Sequence, residues 1–150
     1  MSLESWFGLA NAVALAGWLM LAGALISGDR LRTLLLALAG RAWPLALAAG
    51  YTAALAAFRG TAPAGSGFGT LEAVAALFSA PVALLAGWVH YLAFDLFVGR
   101  WIVDDALARG TNRLLLLPVL ALTFLFGPMG LLAWFGLRAL KASAEWLHAR

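Results

Sequence analysis

Cysteine is absent from the 150-residue chain. That excludes disulfides, thiolate metal sites, iron–sulfur clusters and a thiol nucleophile, and leaves the redox compartment open. Charge is scarce too: 11% of residues are Asp, Glu, Lys or Arg, against roughly 25% in an ordinary soluble domain. Disorder, which needs high charge and low hydrophobicity, is excluded on the same ground. The two histidines, His90 and His148, make no metal-ligand set. No Gly-rich phosphate loop, G-x-S-x-G or H-E-x-x-H occurs, so no metal site or cofactor motif is evident. The net charge of +3 does not indicate nucleic acid. The basic residues stand mostly at the ends of apolar runs, where anionic lipid headgroups would meet them.

Apolar residues fill the space that charge leaves. They make up 64% of the chain, and the mean hydropathy is +0.93. About 30% of the surface of an unfolded chain this size stays exposed after folding, so a water-soluble domain is ruled out. We read residues 1–150 as a single membrane domain in the bilayer, a bacterial inner membrane or a photosynthetic one.

Four uncharged runs stand out: Ser5–Gly28 (24 residues), Ala42–Phe58 (17), Ala73–Phe94 (22) and Leu114–Leu137 (24). A spanning helix needs about 17–25 residues, and backbone groups in lipid must be bonded within the segment. The expected fold is all-α: four antiparallel transmembrane helices over about 6–27, 42–58, 81–103 and 114–137, joined by short amphipathic helices. Glu4 stands where a signal peptide would be basic, so the first run is read as a span and not a leader. Gly8, Ala12 and Ala16 recur every fourth residue, as do Ala42, Ala46, Gly50 and Ala54. Small-xxx-small faces allow close helix approach, and the first two helices are expected to meet on them. Leu31–Gly40, between Asp29, Arg30, Arg32 and Arg41, is too short to span and is expected to lie along the interface. Ser79-Ala80-Pro81 reads as a helix start, since proline at the first helical position loses nothing. Six arginines on one side against Arg59, Arg138, Lys141 and Arg150 on the other slightly favour both termini outside.

A third helix starting near Pro81 places His90 and Asp95 at mid-bilayer. An ionisable group there costs at least ~2.5–3.5 kcal/mol and is by default a functional candidate. Asp95 is the only acid and His90 the only histidine within a span. At about 100° per residue, His90, Phe94, Phe97 and Trp101 share one stripe. Trp88, Tyr91 and Asp95 share another, about 140° away, so only a π-bulge or a ligand flanked by both would unite His90 with Asp95. The aromatic residues of both stripes are candidate walls of a ligand groove. Depth matching pairs Asp95 with Thr123, and His90 with Tyr51 or Thr52. Pro128, between Gly127 and Met129, removes a donor and frees the carbonyl of Phe124, which predicts a bend at the same level. Arg100 and Asp104, four residues apart, are expected to form an ion pair at the membrane edge, which could also meet a headgroup.

The stretch Leu85–Trp101 (LAGWVHYLAFDLFVGRW) and, further on, Leu122–Gly130 (LTFLFGPMG) resemble the abscisic-acid-deficient-4-like family, small four-helix membrane proteins that include the plant neoxanthin synthase. The likeness is sharp over about Leu84–Leu132 and fits a bacterial-type member. It implies carotenoid metabolism and, in the plant members, isomerisation of violaxanthin to neoxanthin: an epoxide opens and a carbon-bound proton is lost. Such an isomerase needs an acid and a base, and His90 and Asp95 are the catalytic candidates. A carotenoid-like ligand would also need an apolar, aromatic-lined groove. Against the enzyme stands a non-enzymatic pigment- or lipid-binding subunit of a membrane complex, photosynthetic or otherwise, with other membrane subunits as partners. Ala86-xxx-His90 resembles the small-xxx-His pattern by which light-harvesting helices ligate chlorophyll or bacteriochlorophyll. A third class is a purely structural membrane subunit.

Overall fold

The computed structural model describes residues 2–148, and within them every regular element is helical. Arg150 lies outside the described residues, as does the side chain of His148. Helix α1 (Leu3–Ile26) starts at Ser2, whose hydroxyl accepts from the backbone N–H of Ser5 at 3.1 Å, with Glu4 in the first turn. Both features favour a helix N-terminus. Its far end is closed from the next helix. Arg32 donates to the carbonyls of Ser27 (2.7 Å) and Ala24 (3.3 Å) while pairing with Asp29 at 2.8 Å, placing a cation where the unpaired carbonyls of α1 collect.

The second apolar run is longer than its uncharged part. Helices α2 (Asp29–Ala37) and α3 (Trp43–Phe58) join through a π-helical turn at Leu38–Ala42, giving one rod of 30 residues. Leu31–Gly40 is therefore not a separate interfacial piece, and the helix begins at Asp29, not near Ala42. The physical reason is Pro44. Its ring removes one backbone donor and crowds the carbonyl four residues back, at Gly40. The helix widens there, with Trp43 N–H donating to the carbonyl of Leu38, instead of breaking.

A loop leads to the short α4 (Leu71–Phe78), capped by the Thr70 hydroxyl. Helix α5 (Pro81–Ala108) then runs for 28 residues with proline in its first turn. It ends where Gly110 takes φ +61° and Thr111 N–H returns to the carbonyl of Ala106 at 2.9 Å, a left-handed closure suited to glycine. A 3₁₀ turn at Arg113–Leu115 precedes α6 (Leu116–Phe126), and α7 (Pro128–His148) follows after one residue.

Among the described residues, three helical rods are long and apolar enough to cross a membrane: Leu3–Ile26, Asp29–Phe58 and Pro81–Ala108. The fourth run is broken at Gly127-Pro128 into α6 and α7, so it is not one continuous spanning helix. Helix α5 is the hub, packed against α3, α1 and α6. Leu21, Leu96, Ile102, Val103 and Leu116 are fully buried around it. The remaining surface is rich in bulky apolar side chains, with Leu19, Leu45, Leu125 and Leu132 all more than half exposed. Such an apolar exterior fits lipid rather than water.

Helix α1 does meet α3, with the Trp6 ring 3.8 Å from where a Gly50 Cβ would stand, but not through its own expected small-residue face. Gly8 has no neighbour where a Cβ would stand, and Ala12 is exposed. The inward face of α1 carries Ala10, Ala14, Gly17, Trp18 and Leu21. A Cβ on Gly17 would meet Leu96 at 2.5 Å, and one on Gly99 would meet the Trp18 ring at 2.5 Å. Two large side chains on facing helices thus fill each other's glycine hollows.

Candidate functional site

Asp95 stands midway along α5 and faces the α6–α7 break. The carboxyl lies against Gly127, and Oδ2 is buried without a hydrogen-bond partner among the described residues. Gly127 has φ +45°, and Pro128 cannot donate to the carbonyl of Phe124. The hydroxyl of Tyr91, one turn before Asp95, takes up what the break releases. It donates toward the carbonyls of Leu125 (3.4 Å) and Phe124 (3.5 Å). Thr123 is not Asp95's partner. It is 0% exposed, donates to the Val119 carbonyl of its own helix at 2.8 Å, and has Gly130 packed directly on it.

One turn further along the same stripe, the indole of Trp88 donates to Asn11 Oδ1 at 3.2 Å and lies beside Phe7 and Tyr91. Asn11 anchors its own amide on the Phe7 carbonyl at 2.7 Å. Its role was not anticipated from sequence, although it is the single amide in the run Ser5–Gly28 and that was the available signal. Trp88, Tyr91 and Asp95 therefore form a polar seam between α5, α1 and the α6–α7 break.

His90 lies on the other stripe. Helix α5 has no π-turn, so His90 and Asp95 are not brought together. The His90 ring is exposed, stacks on Phe94 with centroids 4.5 Å apart and 26° between planes, and meets Tyr51 of α3 at 5.5 Å. Thr52, the other expected partner, donates to its own Ala48 carbonyl. Below His90, Phe94 and Phe97 are 58% and 57% exposed. They line an apolar groove of about 400 Å³ with Pro44, Leu45 and Ala48 of α3.

This groove continues into a more polar one of about 540 Å³ that shares Gly40, Arg41 and Phe97 and adds Arg100, Trp101 and Asp104. Arg100 is paired with Asp104 and donates through Nε to the Leu36 carbonyl at 2.9 Å, across the π-turn. Gly40 makes room for this, since a Cβ there would stand 2.7 Å from Arg100 Nε. Trp101 also touches Phe135 of α7, at 5.9 Å. From Phe94 to Asp104 the lined groove runs about 15 Å at 1.5 Å per residue. It is apolar beside Phe94 and polar at Arg100 and Asp104, and the His90 ring stacks on Phe94 just beyond its apolar end.

Comparison with known proteins gives a family match and one weak relative. The family described as ABA DEFICIENT 4-like matches residues 5–134. The protein ABA DEFICIENT 4, chloroplastic, of Arabidopsis thaliana is 31% identical over 70 residues, covering 47% of this chain. The match spans 30% of that relative's length. No solved structure matches.

Proposed function

The chain belongs to the ABA DEFICIENT 4-like family, and from that membership we propose that it is a membrane protein of carotenoid metabolism that binds a long polyene in the α3–α5 groove. The observation that carries this reading is the exposed stripe His90–Phe94–Phe97–Trp101 beside the groove, which ends at Arg100 and Asp104. A rod-shaped apolar ligand would lie along Phe94 and Phe97, with a polar end ring near Arg41 and Arg100. In this reading the broken helix pair α6–α7 is not a fourth crossing but a hairpin: α6 runs from the C-terminal end of α5 back to the level of Asp95, and α7 returns to Asp105 and Arg109, so that Arg138 and Lys141 stand at the same end of α5 as Arg109. Its bend is tolerated because Tyr91 answers the freed carbonyls.

As an isomerase, the protein would use His90 as the proton-transferring group, since it is the titratable side chain beside the groove at the end opposite Arg100. Asp95 then serves from the opposite face of α5. The separation of these two residues supports a second reading, a pigment-binding subunit without catalysis.

Expression in a carotenoid-making host, followed by extraction of pigment from the purified protein, tests both. A bound polyene lost in Phe97→Arg is expected. Colourless wild-type protein with no change in host pigments would sink the proposal. His90→Gln then divides the readings: pigment retained with conversion lost supports the isomerase with His90 in it, whereas pigment bound by the wild type with no conversion supports the binding subunit.

A further inference from the structure

A second cavity lies away from the groove, at the end of α5 opposite Pro81. There two guanidinium groups share one carboxylate, and a lysine stands beside them. Arg109 Nε lies 3.1 Å from each oxygen of Asp105, Arg138 Nη1 lies 3.3 Å from Oδ2, and the Trp134 indole donates to Oδ2 at 3.0 Å. Lys141 Nζ donates to the Arg109 carbonyl at 3.3 Å. Among the described residues, Asp105 is the only carboxylate in contact with Arg109 and Arg138. Its oxygens are shared by Arg109, Arg138 and Trp134, and Lys141 is held beside them by the Arg109 carbonyl.

A cavity of about 440 Å³ opens beside the cluster. One wall is Arg109, Arg138 and Lys141; the other is Leu115 and Leu137. Trp134, 1% exposed, forms its floor and holds Asp105 in place. The cavity sits just beyond the closing turn of a membrane-length helix, next to the exposed Leu114 and Leu140. That is where the headgroup layer would begin.

We propose that this cavity binds the phosphate of an anionic phospholipid. The planar guanidinium groups match two phosphate oxygens at once, Lys141 adds a point charge, and the acyl chain continues over Leu115 and Leu137. Free phosphate would satisfy the cations but leave the aliphatic wall unused, so the fit is to a lipid.

The test titrates the purified full-length protein in neutral detergent with phosphatidylglycerol, with phosphatidylcholine of the same chains, and with inorganic phosphate, reading bound mass by native mass spectrometry. Phosphatidylglycerol should bind about tenfold or more tighter than phosphatidylcholine. The pair Arg138→Gln and Lys141→Gln should erase that preference, while the equally charged loss Arg30→Gln with Arg59→Gln should keep it. If the first pair unfolds, Lys141→Gln alone should lower the preference severalfold. Equal binding of the two lipids, equal loss in the control pair, or phosphate binding as tight as lipid would each overturn the proposal.

Discussion

The carboxyl of Asp95 rests on Gly127 so closely that a Cβ at that position would stand 2.7 Å from Oδ1 and 2.9 Å from Oδ2. Gly127 is the single residue between α6 and α7, 32 positions beyond Asp95 on α5, and the two define one feature. Gly127 holds φ +45° to turn α6 into α7, a region where L side chains are strained. The same missing side chain gives Asp95 its place at the middle of α5.

Gly127→Ala meets both costs, the backbone strain and the contact with the carboxyl. It is expected to destabilise by about 1–3 kcal/mol, read as a lowered thermal midpoint in detergent. Gly136→Ala is the control: a Cβ there meets nothing within 4 Å and should be neutral or slightly stabilising. Equal midpoints for the two variants would remove the strain argument.

Asp95→Asn keeps the shape against Gly127 and removes the ionisable group whose Oδ2 has no hydrogen bond. The variant should fold with a midpoint close to the parent's, because the amide keeps the carboxyl's size and its capacity both to donate and to accept. Its effect on pigment conversion then assigns the residue. Loss of conversion in a folded protein gives Asp95 a proton-transfer role, and full complementation of the host phenotype confines it to structure.

Gly99→Leu drives a side chain into the hollow occupied by Trp18. Overpacking of this kind costs about 1–3 kcal/mol. Gly8→Leu, at an open position, should leave stability within about 0.5 kcal/mol. A thermal scan of both variants in the same detergent decides whether α1 packs through its Trp18 face or through its Gly8 face.

Arg100→Lys keeps the charge but cannot both pair with Asp104 and donate through Nε to Leu36, because an ammonium is a point and not a fork. The π-turn at Leu38–Ala42 should loosen. Amide hydrogen exchange over residues 34–42 is expected to quicken by roughly tenfold, matching loss of about 1.5 kcal/mol for a bond to a charged group. Unchanged exchange there would show that Pro44 alone shapes the turn.

Helical class, the apolar exterior and the start of α5 at Pro81 could all be read from composition and punctuation. Each depends on the chain's own segment: charge-free runs must close their backbone bonds locally in lipid, and proline at a first turn acts within its own helix. The Arg100–Asp104 pair was legible for the same reason, since helical spacing alone brings the two together. The position of the interruption at Pro128 was too, but not its size. The run does not bend within one span but breaks, and α7 returns to the Asp105 end of α5, with the freed carbonyls answered by Tyr91 on another helix.

Partnership across helices was not legible. In a chain so rich in alanine and glycine, several faces of α1 look equally smooth. The face that packs was selected by where Trp18 and Leu96 find hollows, a matter of shape on the facing helix. Thr123 matched Asp95 in depth, yet its hydroxyl was already used by its own helix at Val119. The charges at Asp29–Arg41 looked like a connection between spans. The rod stays continuous through a widened turn before Pro44, and an arginine 64 residues from Leu36 donates to its carbonyl beside that turn. Such long-range closure of polar groups depends on which side chains arrive from elsewhere, and only the packed arrangement of helices brings them there.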